Sequence, residues 1–138
     1  MKPLLVGELN PREEDDHYAL YPLPPGSAGD RLCSLIMGLH PRDYLQRFDR
    51  LNLCHRLWSG PVARVEADHI LAEPGERRIL LLGRKVAVAF GCDYRPLSAQ
   101  EVGGKALYLL PHPSGANRWW TRRRVPLARA FLRKAGLI

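Results

Sequence analysis

Ile79-Leu80-Leu81-Leu82 is an unbroken aliphatic run between Arg78 and Gly83. A run this short suits a strand, and successive strand side chains point to opposite faces, so this one must be covered on both. Leu4-Leu5-Val6, stopped by Gly7, and Ala106 to Leu110, stopped by Pro111, repeat the pattern, and Leu51-Asn52-Leu53-Cys54 reads as another short strand. Strands buried on both faces belong to parallel sheets with helices above and below.

The intervening segments supply those helices. Ser27 and Asp30 have capping-box spacing, and Leu32, Leu35, Ile36 and Leu39 recur at helical intervals until Gly38 to Pro41 end the pattern. Ser59-Gly60-Pro61 opens a second helix with Ala63, Ala67, Ile70 and Leu71 on one face, closed by Pro74-Gly75. A short helix follows Gly83, from Arg84 to Phe90, and Pro126 opens a last one carrying Ala128, Phe131, Leu132 and Ala135. Residues 13 to 26, rich in acids and then in proline, predict an extended surface loop. The expectation is an α/β chain: a three-layer α/β/α sandwich around a short, mainly parallel four-stranded sheet, with residues 1–138 in one domain.

At 46% hydrophobic and 25% charged residues, the composition argues against disorder, and no apolar run approaches the roughly 20 residues of a membrane span. Three cysteines, Cys33, Cys54 and Cys92, cannot all pair within one chain and lack metal-site spacing, which predicts a reducing, cytoplasmic setting. Met1 to Val6 is too short an apolar stretch for a secretory leader. Charge is uneven: residues 102–138 hold 8 Lys and Arg and no acid, whereas the rest holds 13 against 14 acids. Such a one-signed tail favours a polyanionic partner, or else is a solvated face with no partner.

Ligands of open α/β sheets bind beyond the carboxyl ends of the strands. That rule selects Glu8 to Asn10 after the first strand, Asn52 and its successors on the second, and His112 to Asn117 after the last.

The selected segments carry a resemblance. His112-Pro113-Ser114 after a strand resembles the second signature loop of the uracil-DNA glycosylase superfamily, and Ser114-Gly115-Ala116-Asn117-Arg118 is similar to the continuation in its mismatch-specific uracil/thymine branch. Gly7-Glu8-Leu9-Asn10-Pro11 resembles the first signature loop. Glu13-Glu14, Ala28-Gly29-Asp30-Arg31-Leu32, Asn52-Leu53-Cys54 and the stretch from Arg78 to Ala87 are similar to the small bacterial branch. The resemblance implies a monofunctional DNA glycosylase that hydrolyses the N-glycosidic bond of uracil or a modified pyrimidine during DNA repair. Asn10 would position the attacking water, His112 would stabilise the oxyanion forming on the base, and Asn52 would read the base edge beside Gly7 and Pro11. Tyr21, with Tyr18 second, would wall the extracted base. Ser114, Gly115, Asn117, Arg118, Trp119, Arg122, Arg123 and Arg124 would hold DNA, single- or double-stranded, and Trp120 could stack as well. No cofactor, no metal and no membrane partner are expected, and the protein should act as a monomer.

These residue types suit that chemistry, because breaking the bond leaves cationic character on the sugar and negative charge on the base. The departures are specific. One extra residue separates Gly7 from Pro11, which leaves Glu8 as a rival water-activating group. Ala116 replaces a bulky apolar wedge, so that Arg118 or Trp119 substitutes for it or the substrate is single-stranded. Three cysteines cannot hold the iron-sulfur cluster of the small bacterial branch. Taken residue by residue, His112 and Asn10 also suit plain loop formation, and Trp119 and Trp120 suit packing. A silent module that binds DNA or a modified base, and a hydrolase of free nucleosides or nucleotides, stand as alternatives.

Overall fold

The computed structural model describes residues 1–10 and 13–138. It holds one five-stranded sheet in the order β2-β1-β3-β5-β4, built from β1 (Leu4–Gly7), β2 (Asp49–Asn52), β3 (Ile79–Leu82), β4 (Ser98–Val102) and β5 (Lys105–Leu110). The first four strands in that order run parallel, and β4 is antiparallel to β5 at the edge. The helices are α1 (Ala28–Asp30), which continues as a π turn (Arg31–Ile36), α2 (Pro41–Arg47), α3 (Gly60–Ala72), α4 (Arg84–Ala89) and α5 (Arg124–Lys134). A 3₁₀ turn at Asp16–Tyr18 interrupts the acidic loop.

Strand alternation divides the core into two layers. Leu4, Val6, Ile79, Leu81, Leu107 and Leu109 face α3 and α4, while Leu5, Leu80, Leu82 and Leu110 face the π turn, α2 and α5. The result is the expected three-layer α/β/α arrangement. Right-handed crossovers explain the division: the chain moves one way along the sheet from β1 to β2 and the other way from β2 to β3 and β5, so the connecting helices change faces. The strand order therefore reverses beside β1, and a crevice opens beyond the carboxyl ends of β1 and β3.

Local sequence sets the helix starts. Ser27 Oγ accepts from the Asp30 N–H at 3.1 Å, and Asp30 Oδ2 accepts from the Gly26 N–H at 2.8 Å, a capping box shifted back by one residue. Ser59 Oγ caps α3 by accepting from Val62, and His40 Nδ1 caps α2 by accepting from Arg42.

Several expectations are corrected. The sheet has five strands rather than four: β4 joins β5 through Gly103-Gly104, both at positive φ (58° and 78°), as a two-residue hairpin turn requires. The second strand lies at Asp49–Asn52, so Leu53 and Cys54 fall just past its end. Leu35 is 41% exposed, because the wider π turn rotates it off the buried face that 3.6-residue spacing assigned to it. The last helix begins at Arg124, with Pro126 inside its first turn, where a missing N–H is tolerated. The helix Pro41–Arg47 was not expected at all.

Among the described residues, no helix is long and apolar enough to cross a membrane. The three cysteines are buried and unbridged. Replacing Leu81, fully buried at the sheet centre, by Ala should cost about 3 kcal/mol in urea unfolding, whereas Leu57→Ala, at a position 81% exposed, should stay within about 0.5 kcal/mol.

Candidate functional site

The crevice is a cavity of about 410 Å³ whose lining includes Glu8, Asn10, Tyr18, Tyr21, Asn52 and His112. Residues from the ends of three parallel strands and from the Pro-rich loop thus meet at one rim. The strand ends are held in register, since Leu53 N–H donates to the Gly7 carbonyl and Cys54 N–H to the Glu8 carbonyl, both at 3.0 Å. This pairing carries Asn52 alongside Gly7. A side chain at Gly7 would run into Asn52 Oδ1 and sit 3.3 Å from Leu20 Cδ2, so only glycine lets the amide and the loop close over β1. Asn52 is 9% exposed, and its amide offers both a donor and an acceptor for a flat polar edge.

His112 is placed by its own loop. The Ser114 N–H donates to His112 Nδ1 at 3.2 Å, so the neutral ring carries its proton on Nε2. The His112 carbonyl accepts from Asn117 Nδ2 at 2.9 Å and Trp120 Nε1 at 2.8 Å, and Arg31 Nε donates to the Pro113 carbonyl at 2.8 Å. Burial pushes the His112 imidazole below its ordinary value, the Glu8 carboxylate pulls the other way, and Lys85 adds to the lowering. Glu8 and His112 flank Gly83: a methyl group there would lie 3.3 Å from both Glu8 Oε1 and His112 Cβ. Gly83, at φ 100°, is open to glycine in conformation as well as in space.

The aromatic wall has two supports that sequence reasoning missed. The buried Tyr44 donates its hydroxyl to the Leu20 carbonyl at 2.7 Å, and Arg50 on β2 donates to the carbonyls of His17 and Ala19 at 3.0 and 2.7 Å. Leu20 is thereby held at a positive φ of 51°, a conformation that needs outside support. Tyr18 and Tyr21 stand 5.5 Å apart between ring centroids, and the Arg50 guanidinium lies 5.7 Å from the Tyr21 ring.

The other expected site residues fall outside this cavity. Pro11 lies outside the described residues. Ser114 and Asn117 spend their polar groups inside the loop: Ser114 Oγ accepts from Ala116, and Asn117 Oδ1 accepts from Trp119. Gly115 packs beside Arg31. Trp120 is packed into the core layer beneath α5, while Trp119 is half-buried with the Arg124 guanidinium 4.9 Å over its ring. Arg118, Arg122, Arg123 and Arg124 are exposed, the last three at the start of α5, whose first turn holds no acid. Among the described residues no group of three or more His, Cys, Asp or Glu could hold a metal ion.

The cavity therefore offers a carboxylate, two amides, a neutral imidazole and an aromatic wall, with a field of arginines on the adjoining loop. No family model matches the chain, and no curated protein matches it either.

Because burial favours neutral His112, the unfolded chain takes up that proton first as the pH falls below 6.5, and this part of the stability is complete only above 6.5. Wild type should lose more urea resistance than His112→Gln between pH 7.5 and 5.5. Nitrogen NMR at pH 7.5 should show His112 protonated on Nε2 alone. Equal losses, or a proton on Nδ1, would contradict this assignment.

Proposed function

We propose that this chain is a DNA glycosylase that hydrolyses the N-glycosidic bond of uracil or a modified pyrimidine. The observation carrying this reading is the convergence of Glu8, Asn10, Tyr21, Asn52 and His112 on one cavity at the point where strand order reverses. Departure of the base leaves positive charge on the sugar and negative charge on a base carbonyl, and the cavity has groups suited to each. The Glu8 carboxylate is suited to stabilise the sugar cation and take a proton from water, with Asn10 orienting that water. His112 Nε2–H is a neutral donor for the carbonyl oxygen as it gains charge, and Asn52 pairs with the base edge while Tyr21 covers its face. Extraction of the base into the cavity costs a few kcal/mol of unstacking. Arg118, Arg122, Arg123 and Arg124 supply phosphate contacts that offset this cost. The protein would act as a monomer, without a cofactor, in base excision repair in a cytoplasmic setting that keeps its three thiols reduced.

A second reading, a silent module that binds DNA or a modified base on the same fold, is favoured by Ala116, which is too small to fill the gap left by an extracted base. It predicts salt-sensitive DNA affinity that survives loss of Asn10 and His112.

Labelled oligonucleotides carrying uracil or modified pyrimidines, single- and double-stranded, should break on alkali treatment after incubation with the protein. Asn10→Ala, His112→Ala and Glu8→Gln should each slow single-turnover excision by about 10²-fold or more while the protein stays folded. The larger loss between Glu8→Gln and Asn10→Ala identifies the group that activates water. Failure to cleave any pyrimidine lesion would remove the catalytic reading.

A further inference from the structure

A second groove, of about 370 Å³, shares His112 with the first cavity and is also lined by Gly83, Arg84, Tyr94, Pro96, Asn117 and Trp119. His112 and Gly83 connect it to the first cavity: His112 lines both, and Glu8 Oε1 lies over Gly83. Two aromatic rings border the groove, and each carries a guanidinium. Arg84 lies 4.7 Å from the centroid of Tyr94, and Arg124 lies 4.9 Å from that of Trp119 and donates to its carbonyl at 3.0 Å. Both arginines are exposed residues, and Arg84 itself lines the groove. Asp93, the acid next to Tyr94, is engaged by Arg95 at 3.0 Å.

A guanidinium stacked on a half-buried ring is a platform that single-stranded nucleic acid uses, with a base stacking on the arginine–ring pair and a phosphate meeting the cation. The groove has this pairing at both edges. We infer that it is a stacking subsite for the nucleotide adjacent to the extracted one, so that the chain threads over His112 with one base in each depression. This rests on the glycosylase reading for the occupant of the first cavity, but the groove's own chemistry, two rings that each carry an arginine, suits a nucleotide of a single strand by itself. It also gives Ala116 a physical sense. A strand gripped by stacking on the next base needs no bulky side chain to hold a duplex open.

Two measurements test the subsite. The first is a fluorescence-anisotropy titration with a labelled four-residue oligothymidylate, which carries no uracil. Tyr94→Leu and Trp119→Leu keep apolar bulk but remove the π face, and each should weaken binding about tenfold. Arg84→Gln, which leaves the rings in place, should lower the salt dependence by about one phosphate contact. The second compares excision from deoxyuridine monophosphate with excision from two dinucleotides that carry one extra nucleotide on the 5′ or the 3′ side. Wild type should show a lower KM for one dinucleotide, and Tyr94→Leu should erase that advantage. Wild-type affinity in all three variants, or equal KM values for the three substrates, would overturn the subsite. If nothing is excised yet the variants weaken oligothymidylate binding, the glycosylase reading fails and the subsite stands. Excision by variants that bind like wild type sinks the subsite alone.

Discussion

The position of β1 governs the molecule. It pairs in parallel with β2 on one side and β3 on the other, and its side chains are buried on both faces. A strand in that position cannot be reached by successive crossovers in one direction. The chain must go out to β2 and then pass back over β1 to β3, and the fixed hand of crossovers sends the two sets of helices to opposite faces. The reversal opens a space beyond the carboxyl ends of β1 and β3, lined by loops and by Ala28 and Gly29 of α1. Loops can present polar groups that a packed interior would reject. Glu8, Asn52 and His112 meet there because of this topology, although they lie far apart along the chain.

How much of this could be read from the residues depended on the range of the interaction. β1, β3 and β5 announce themselves, since consecutive aliphatic residues bounded by Gly or Pro have few other uses, and Ser27 and Ser59 mark their helices through contacts within four residues. The edge strand β4 was missed although Gly103-Gly104 is a hairpin signal; Ser98 to Val102 is polar and half-exposed, and burial does not impose a pattern on it. The π turn was invisible because its register depends on packing against α5, where Arg129 donates to the carbonyls of Leu35 and Ile36. At the site, the rule that ligands bind beyond strand ends found the polar groups. It could not find their supports. Tyr44, Arg50 and Arg31 act on loops 24, 31 to 33 and 82 residues away in sequence, and nothing local to them marks that task.

Those supports explain how irregular loops can keep a defined shape. The His112 carbonyl takes two donors, one from Asn117 and one from an indole that is itself packed into the core. The loop is thereby tied to the same layer as α5. Asn117 and Ser114, to which the resemblance gives contacts with DNA, also bond within the loop and position the imidazole. The arginines beyond them face a different balance. Three consecutive guanidinium groups at the N-terminal end of α5 sit where the helix dipole already favours anions, with no acid in the first turn to relieve them. Repulsion of this kind is lowered by a bound anion, which is the role proposed above for these residues.

The proposed reaction places opposite electrostatic demands on one small cavity. A carboxylate must stay ionised to meet the developing sugar cation, while the donor facing the base must not become a cation that the carboxylate captures. Protonated His112 would be drawn to Glu8, and each would then blunt the other. Protonation would also put a second N–H on Nδ1, opposite the Ser114 N–H that it now accepts. Glu8 does pull His112 toward the charged form, yet burial opposes it more strongly, and Lys85 adds to that opposition. The loop bond and the desolvation therefore act in the same direction, keeping the imidazole neutral beside an acid. In this arrangement a carboxylate and a hydrogen-bond donor can share one rim near neutral pH without forming an ion pair.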